Sequence, residues 1–222
     1  MRPDNYRLNA LNPSQTNLNS TTTAVAVIDM QNDYCRRTGK FFTSESQSAI
    51  VPISALLAKA KAKGMPIIYT RNCLADADGS WASAYQKGWS VTPPHCLAGT
   101  WGAEIVDELR PTGNDQVIRK TSFNMFLGAY RHEAEEIMAR FKRMHPRIDT
   151  IIVVGTVTNV CVFFNSDALK WFGYNIVIPT DCIGGGAAFR SEKGDVGYAY
   201  ALWFLSTVDA AIITTSELMK LV

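Results

Sequence analysis

Two rhythms alternate along this chain. Short runs that are apolar almost throughout, AVAVI, PIIYT, TIIVV, NIVI and AAIIT, are separated by longer stretches whose apolar positions recur every three to four residues. The first pattern suits strands buried on both faces, and the second suits helices with one apolar face. The pattern predicts a strand over Ala24–Asp29, a helix over Pro52–Lys63 that Gly64 stops, and a strand over Pro66–Thr70. It continues with a short helix near Ala103–Leu109, a strand over Gln116–Arg119, and an amphipathic helix over Leu127–Met144 ending at His145 and Pro146. A strand over Thr150–Val154, a helix from near Cys161 to Gly173, a strand over Asn175–Ile178, a helix over Glu192–Phe204 and a strand over Ala210–Thr214 complete it. Such a sequence of elements predicts an α/β fold, a doubly wound three-layer α/β/α sandwich. Its sheet has six mainly parallel strands joined by right-handed crossovers.

Composition narrows the picture. The chain has 222 residues, with 22 basic against 20 acidic side chains, and no basic run that would mark a nucleic-acid or anionic-membrane surface. Residues 1–23 are rich in Asn, Ser and Thr and read as an N-terminal arm, leaving residues 24–222 as a single domain. No stretch reaches the roughly 18 apolar residues of a membrane span, and the arm has no apolar core of a signal peptide. Five cysteines, an odd number without zinc-ribbon spacing, fit reduced thiols and a cytoplasmic location.

Chemistry enters at the strand ends. In TIIVVGTVTNVCVFF a strand runs through a small-residue turn to Cys161. The helix expected there would favour the thiolate through its dipole. Asp29 closes AVAVIDM and Lys120 closes QVIRK. In an open parallel sheet the carboxyl ends of strands share one edge, so a carboxylate, an ammonium and a thiol can meet. The three histidines, His95, His132 and His145, suit no Ser/His/Asp arrangement. GGGAAF lacks the last glycine of a dinucleotide fingerprint, and no phosphate-cradling GK[ST] occurs, so no cofactor is expected.

IDMQND, the lysine after a short strand, and GTVTNVCV, in that order, resemble the Asp/Lys/Cys motifs of the isochorismatase-like cysteine hydrolases, over about Ala24–Thr214. That family includes nicotinamidases and the carbamoylsarcosine, ureidoacrylate and biuret hydrolases. The resemblance implies Asp29 as base, Lys120 as its cationic partner and Cys161 as nucleophile. It further implies an oxyanion hole of the Val157 and Cys161 N–H groups, a cis peptide between Thr156 and Val157, and a homo-oligomer, dimer or tetramer. The implied activity is hydrolysis of a C–N bond in a small carboxamide, carbamoyl or ureido compound. A vinyl ether hydrolase of isochorismatase type and a non-catalytic member of the fold are the alternatives. Nicotinamidases carry an Asp and His metal site after the second strand, whereas TRNCLADADG has no histidine, so no metal is expected.

Loops at the same edge should select the substrate. Phe41, Phe42, Trp81, Trp89, Trp101, Phe123 and Phe126 are the aromatic candidates, and Arg190, ahead of Arg71 and Arg119, is the candidate for a substrate carboxylate. Asn159 reads as structural. Loss of the base at Asp29 is expected to slow alkylation of Cys161.

Overall fold

The computed structural model describes residues 18–73, 95–185, 196–207 and 210–222. Its strands are β1 (Thr23–Ile28), β2 (Ile67–Asn72), β3 (Gln116–Lys120), β4 (Thr150–Thr156), β5 (Asn175–Pro179), β6 (Ile183–Gly184) and β7 (Ala210–Ile213). The helices are α1 (Asn32–Cys35), α2 (Ser44–Ala62), α3 (Arg131–Met144), α4 (Phe163–Trp171), α5 (Val196–Thr207) and α6 (Thr215–Leu221). Six strands run in the order β3-β2-β1-β4-β5-β7, with the two-residue β6 added beside the end of β4. Every pairing between these strands is parallel.

All six residues of β1 and all seven of β4 are buried, as their continuous apolar runs require. Helix α2 covers one face of the sheet with Ile53, Leu56, Leu57 and Ala60. It is joined there by α6, whose Met219 carbonyl accepts from the Lys59 ammonium. On the other face α4 and α5 meet, the Phe163 and Phe204 rings lying 5.4 Å apart.

The strand order reverses between β1 and β4, and their carboxyl ends open the crevice in which open α/β sheets bind ligands. Ile28 of β1 is in register with Thr70 on one side and Gly155 on the other, while Asn72 is in register with Lys120. Gly155 has φ +122°, and a Cβ there would lie 2.1 Å from the Ile28 carbonyl oxygen. Only glycine lets the two strands close to this distance just before the turn that carries Cys161.

Several boundaries differ from the pattern. Helix α2 begins at Ser44, capped by the Thr43 hydroxyl that accepts from the Ser46 N–H, and it carries Pro52 inside. Proline suits a first helical turn, but the Thr-Ser-Glu-Ser cap overrides it. Strand β2 runs on to Asn72, and α3 starts only at Arg131. Helix α6 escapes a periodicity search because it spans seven residues, although its Thr214 and Glu217 form a complete capping box.

Candidate active site

Asp29 sits one residue past β1, with φ +49°, a backbone conformation rare outside glycine. The kink turns its fully buried carboxylate across the strand ends. One oxygen accepts from the Thr70 hydroxyl at 2.6 Å; the other pairs with the Lys120 ammonium at 2.8 Å and accepts from the Asn72 amide at 3.0 Å. Lys120, the last residue of β3, is also wholly buried and donates to the Ser122 carbonyl at 3.0 Å and to the Cys161 sulfur at 3.4 Å. The Asp29 carboxylate and the Cys161 thiol thus share one ammonium.

Burial alone would drive protons off Lys120, but the charge of Asp29 and the adjacent thiol outweigh it, and the ammonium is held above its ordinary range. Burial pushes the Cys161 thiol up to about 12; the Lys120 charge opposes this and the Asp29 charge reinforces it. At neutral pH the cysteine is therefore a thiol beside a base. This corrects the expectation of a helix-stabilised thiolate. Cys161 lies within a π-helical turn, Thr158–Val162, ahead of α4, and desolvation dominates any dipole there.

Asn72 ties the three together. Its carbonyl oxygen accepts from Lys120 at 2.7 Å, and its NH₂ faces Asp29, the Tyr34 hydroxyl at 2.8 Å and the Cys161 sulfur at 3.8 Å. The Gln-Asn-Asp run after Asp29 fixes this edge. Gln31 donates to the Asn72 and Ala103 carbonyls and accepts from the Asn72 N–H, Asn32 donates to the Trp101 carbonyl, and Asp33 accepts from the Lys40 and Cys96 N–H groups.

The turn that carries Cys161 is held from two sides. The Thr156–Val157 peptide is cis. Thr43, Ser46 and Thr156 form a buried chain of hydroxyls at 2.6 Å spacings, and Thr156 and Thr158 both donate to the Gly184 carbonyl. Asn165, one turn into α4, donates to the Cys161 and Phe123 carbonyls and accepts from the Met125 N–H, which joins the turn to the segment after Lys120.

The family model of the isochorismatase domain matches residues 23–216. The chain belongs to the isochorismatase family. It is 32% identical over 168 residues to the ureidoacrylate amidohydrolase RutB of Caulobacter segnis, covering 68% of this chain and 67% of that protein. It is 29% identical to an N-carbamoylsarcosine amidase of an Arthrobacter species, over 72% of this chain and 59% of the other. The crystal structure of an isochorismatase family protein from Desulfovibrio vulgaris superposes with a TM-score of 0.72 at 27% identity, covering 90% of this chain and 97% of that one.

Within this isochorismatase-family site, other residues singled out from sequence fall in varied places. Phe41 stacks on His95 at 5.0 Å and meets Tyr34 edge-on at 5.8 Å, one ring removed from Asn72. Phe126 stacks on Phe172 at 4.5 Å, at the end of α4 distant from Cys161. Phe123 packs on Phe164, and Trp101 leaves its side chain largely in solvent while its carbonyl serves Asn32. Arg71 faces Glu104 and Arg119 is held by Glu133. Asn159 lies in the π turn beside Gly197. Trp81, Trp89 and Arg190 lie outside the described residues.

At the end of β2 the Asn72 amide is committed to Lys120, Asp29 and Tyr34. Among the described residues no three His, Cys, Asp or Glu side chains gather as metal ligands would. Sequence reading passed over Asn72, Thr70 and Tyr34. The alternation in PIIYTRN was the available signal, since it turns Thr70 and Asn72 toward one face of the sheet.

Proposed function

We propose that this protein is a cysteine-dependent amidohydrolase that cleaves the C–N bond of a small carboxamide, carbamoyl or ureido compound. The observation that carries the reading is one buried ammonium lying 2.8 Å from a carboxylate and 3.4 Å from a thiol. The names of the ureidoacrylate and carbamoylsarcosine relatives supply the substrate class.

A thiol with a pKa of about 12 does not attack as a standing thiolate. Asp29 takes the Sγ proton as sulfur adds to the substrate carbonyl carbon, and Lys120 offsets the negative charge built beside it. The carbonyl oxygen becomes an oxyanion, for which we assign the N–H groups of Val157 and Cys161; one such donor is typically worth about 3 kcal/mol. When the tetrahedral carbon collapses, the C–N bond breaks and Asp29 returns its proton to the departing nitrogen, leaving a thioester or thiocarbamate on Cys161. Asp29 then takes a proton from water as the hydroxide adds to that carbonyl. Expulsion of sulfur, reprotonated by Asp29, releases the acid. A thiol placed beside its base suits this acyl transfer better than vinyl ether hydrolysis.

The test is ammonia release from primary carboxamides, carbamoyl amino acids, ureidoacrylate-like acids and biuret, with Cys161→Ala alongside. A signal present in the wild type and absent from the variant is expected. Turnover that survives in Cys161→Ala would remove the nucleophile assignment.

A further inference from the structure

Two strands, β2 and β1, stand between β3, which ends in Lys120, and β4, which leads to Cys161. At about 4.8 Å per strand spacing, the sheet by itself sets those two backbones roughly 14 Å apart. The ladders therefore fix the register of Lys120 but not how closely its ammonium approaches the thiol. The segment after β3 has to be brought back across the strand ends and held there.

Asn165 does this. It is completely buried in α4, where an amide is tolerated only if its polar atoms are bonded. Its NH₂ donates to the Cys161 carbonyl at 2.7 Å and to the Phe123 carbonyl at 2.8 Å, and its oxygen accepts from the Met125 N–H at 2.9 Å. The bond to Cys161 is the ordinary reach of a short polar side chain to the carbonyl four residues back. The other two cross 42 and 40 positions of sequence and close on either side of Asn124. Just before this clamp, the Ser122 carbonyl accepts from the Lys120 ammonium at 3.0 Å. One amide thus spans the backbone of Cys161 and the segment whose carbonyl seats the cation. A leucine of similar size would fill the same space with no polar atom to satisfy, so packing alone does not call for asparagine.

We propose that Asn165 is a positioning residue that sets the separation of Lys120 and Cys161 by tying the segment Ser122–Met125 to the turn that carries the thiol. This builds on the assignment of Cys161 as nucleophile. The consequence is read at sulfur. The Lys120 charge lowers the pKa of Cys161 against burial, and the Asp29 charge raises it. With the tie cut, the ammonium drifts from sulfur while Asp29 keeps its bonds to Thr70 and Asn72. The thiol then holds its proton more tightly, and the negative charge built during attack loses its partner.

Two variants separate the tie from local packing. Asn165→Ser keeps a hydroxyl able to reach the Cys161 carbonyl but is too short to bridge to Phe123 and Met125; Asn165→Leu removes all three bonds. In folded protein, checked by circular dichroism, iodoacetamide at about pH 9 should modify Cys161 of either variant roughly threefold or more slowly than in the wild type, the site being read by peptide mass spectrometry. On the amide panel kcat should fall about tenfold or more with KM within about twofold. Ser166→Ala, which changes the neighbouring buried hydroxyl that has no partner among the described residues, should leave both readouts at wild-type values. Added to Lys120→Met, Asn165→Ser should slow alkylation no further, because the ammonium through which it acts is gone. If Asn165→Leu does not fold, Asn165→Ser carries the test. An Asn165→Ser protein that is less stable but alkylates and turns over as the wild type overturns the proposal, as does a slowing that persists in full without Lys120. The nucleophile assignment fails separately, through turnover that survives Cys161→Ala, whereas the alkylation rates report the approach of Lys120 whether or not any amide is hydrolysed.

Discussion

At the scale of single residues, the protonation of Cys161 decides how the site behaves before substrate arrives. Because the Asp29 charge helps raise the thiol to about 12, Asp29→Asn removes that contribution while Lys120 still attracts the thiolate. Alkylation of Cys161 by iodoacetamide in Asp29→Asn should therefore be faster at pH 8 than in the wild type, its pH midpoint shifted down from about 12, although turnover is lost. This reverses the expectation from sequence, in which loss of the base at Asp29 slows that alkylation. An alkylation profile unchanged by the substitution would remove Asp29 from contact with the thiol. Lys120→Met should leave a buried carboxylate without its cation and cost about 3–5 kcal/mol in denaturant unfolding. The folded pKa of Lys120 is raised, so its ion pair contributes fully below the ordinary lysine value of 10.5 and is lost as pH climbs through the higher folded value. The wild type should hold that stability through pH 9. Asn72→Ala deprives base and cation of their common amide, and kcat should fall on the order of 100-fold, as small misplacements of reacting groups do. A change confined to KM would make Asn72 a substrate contact instead.

At the scale of elements, six of the strands were legible because each is a short apolar run between polar stretches, and the ends of β1 and β3 carried charges no buried strand would otherwise tolerate. Ends dictated by tertiary contacts were not legible. Nothing local says that β2 extends to Asn72, since that length is set by pairing with Lys120 and by the Gln31 clamp. Nor does the sequence say that Gly184, the first glycine of GGG, serves packing. A Cβ there would fall 2.5 Å from the Glu45 carbonyl of α2. Gly184→Ala should cost about 1–3 kcal/mol by forcing β6 off the first turn of α2, with activity falling too because Gly184 anchors Thr156 and Thr158. A melting temperature equal to the wild type would show that this contact yields freely.

At the scale of the whole molecule, what makes the site is that the strand order of a parallel sheet reverses between β1 and β4, so residues 132 positions apart in sequence, 29 and 161, meet at one crevice. All five cysteines are free and buried. A disulfide reagent should modify them slowly in the native protein and rapidly, to five equivalents, in denaturant; rapid native modification of more than one would contradict that packing. The Gln-Asn-Asp run fastens both ends of one excursion of the chain, Gln31 at Asn72 and Asp33 at the Cys96 N–H. A one-residue slip of β2 against β1 would break the Gln31 clamp as well as the strand ladder, so the register that seats the Asn72 amide between carboxylate and ammonium is locked twice over.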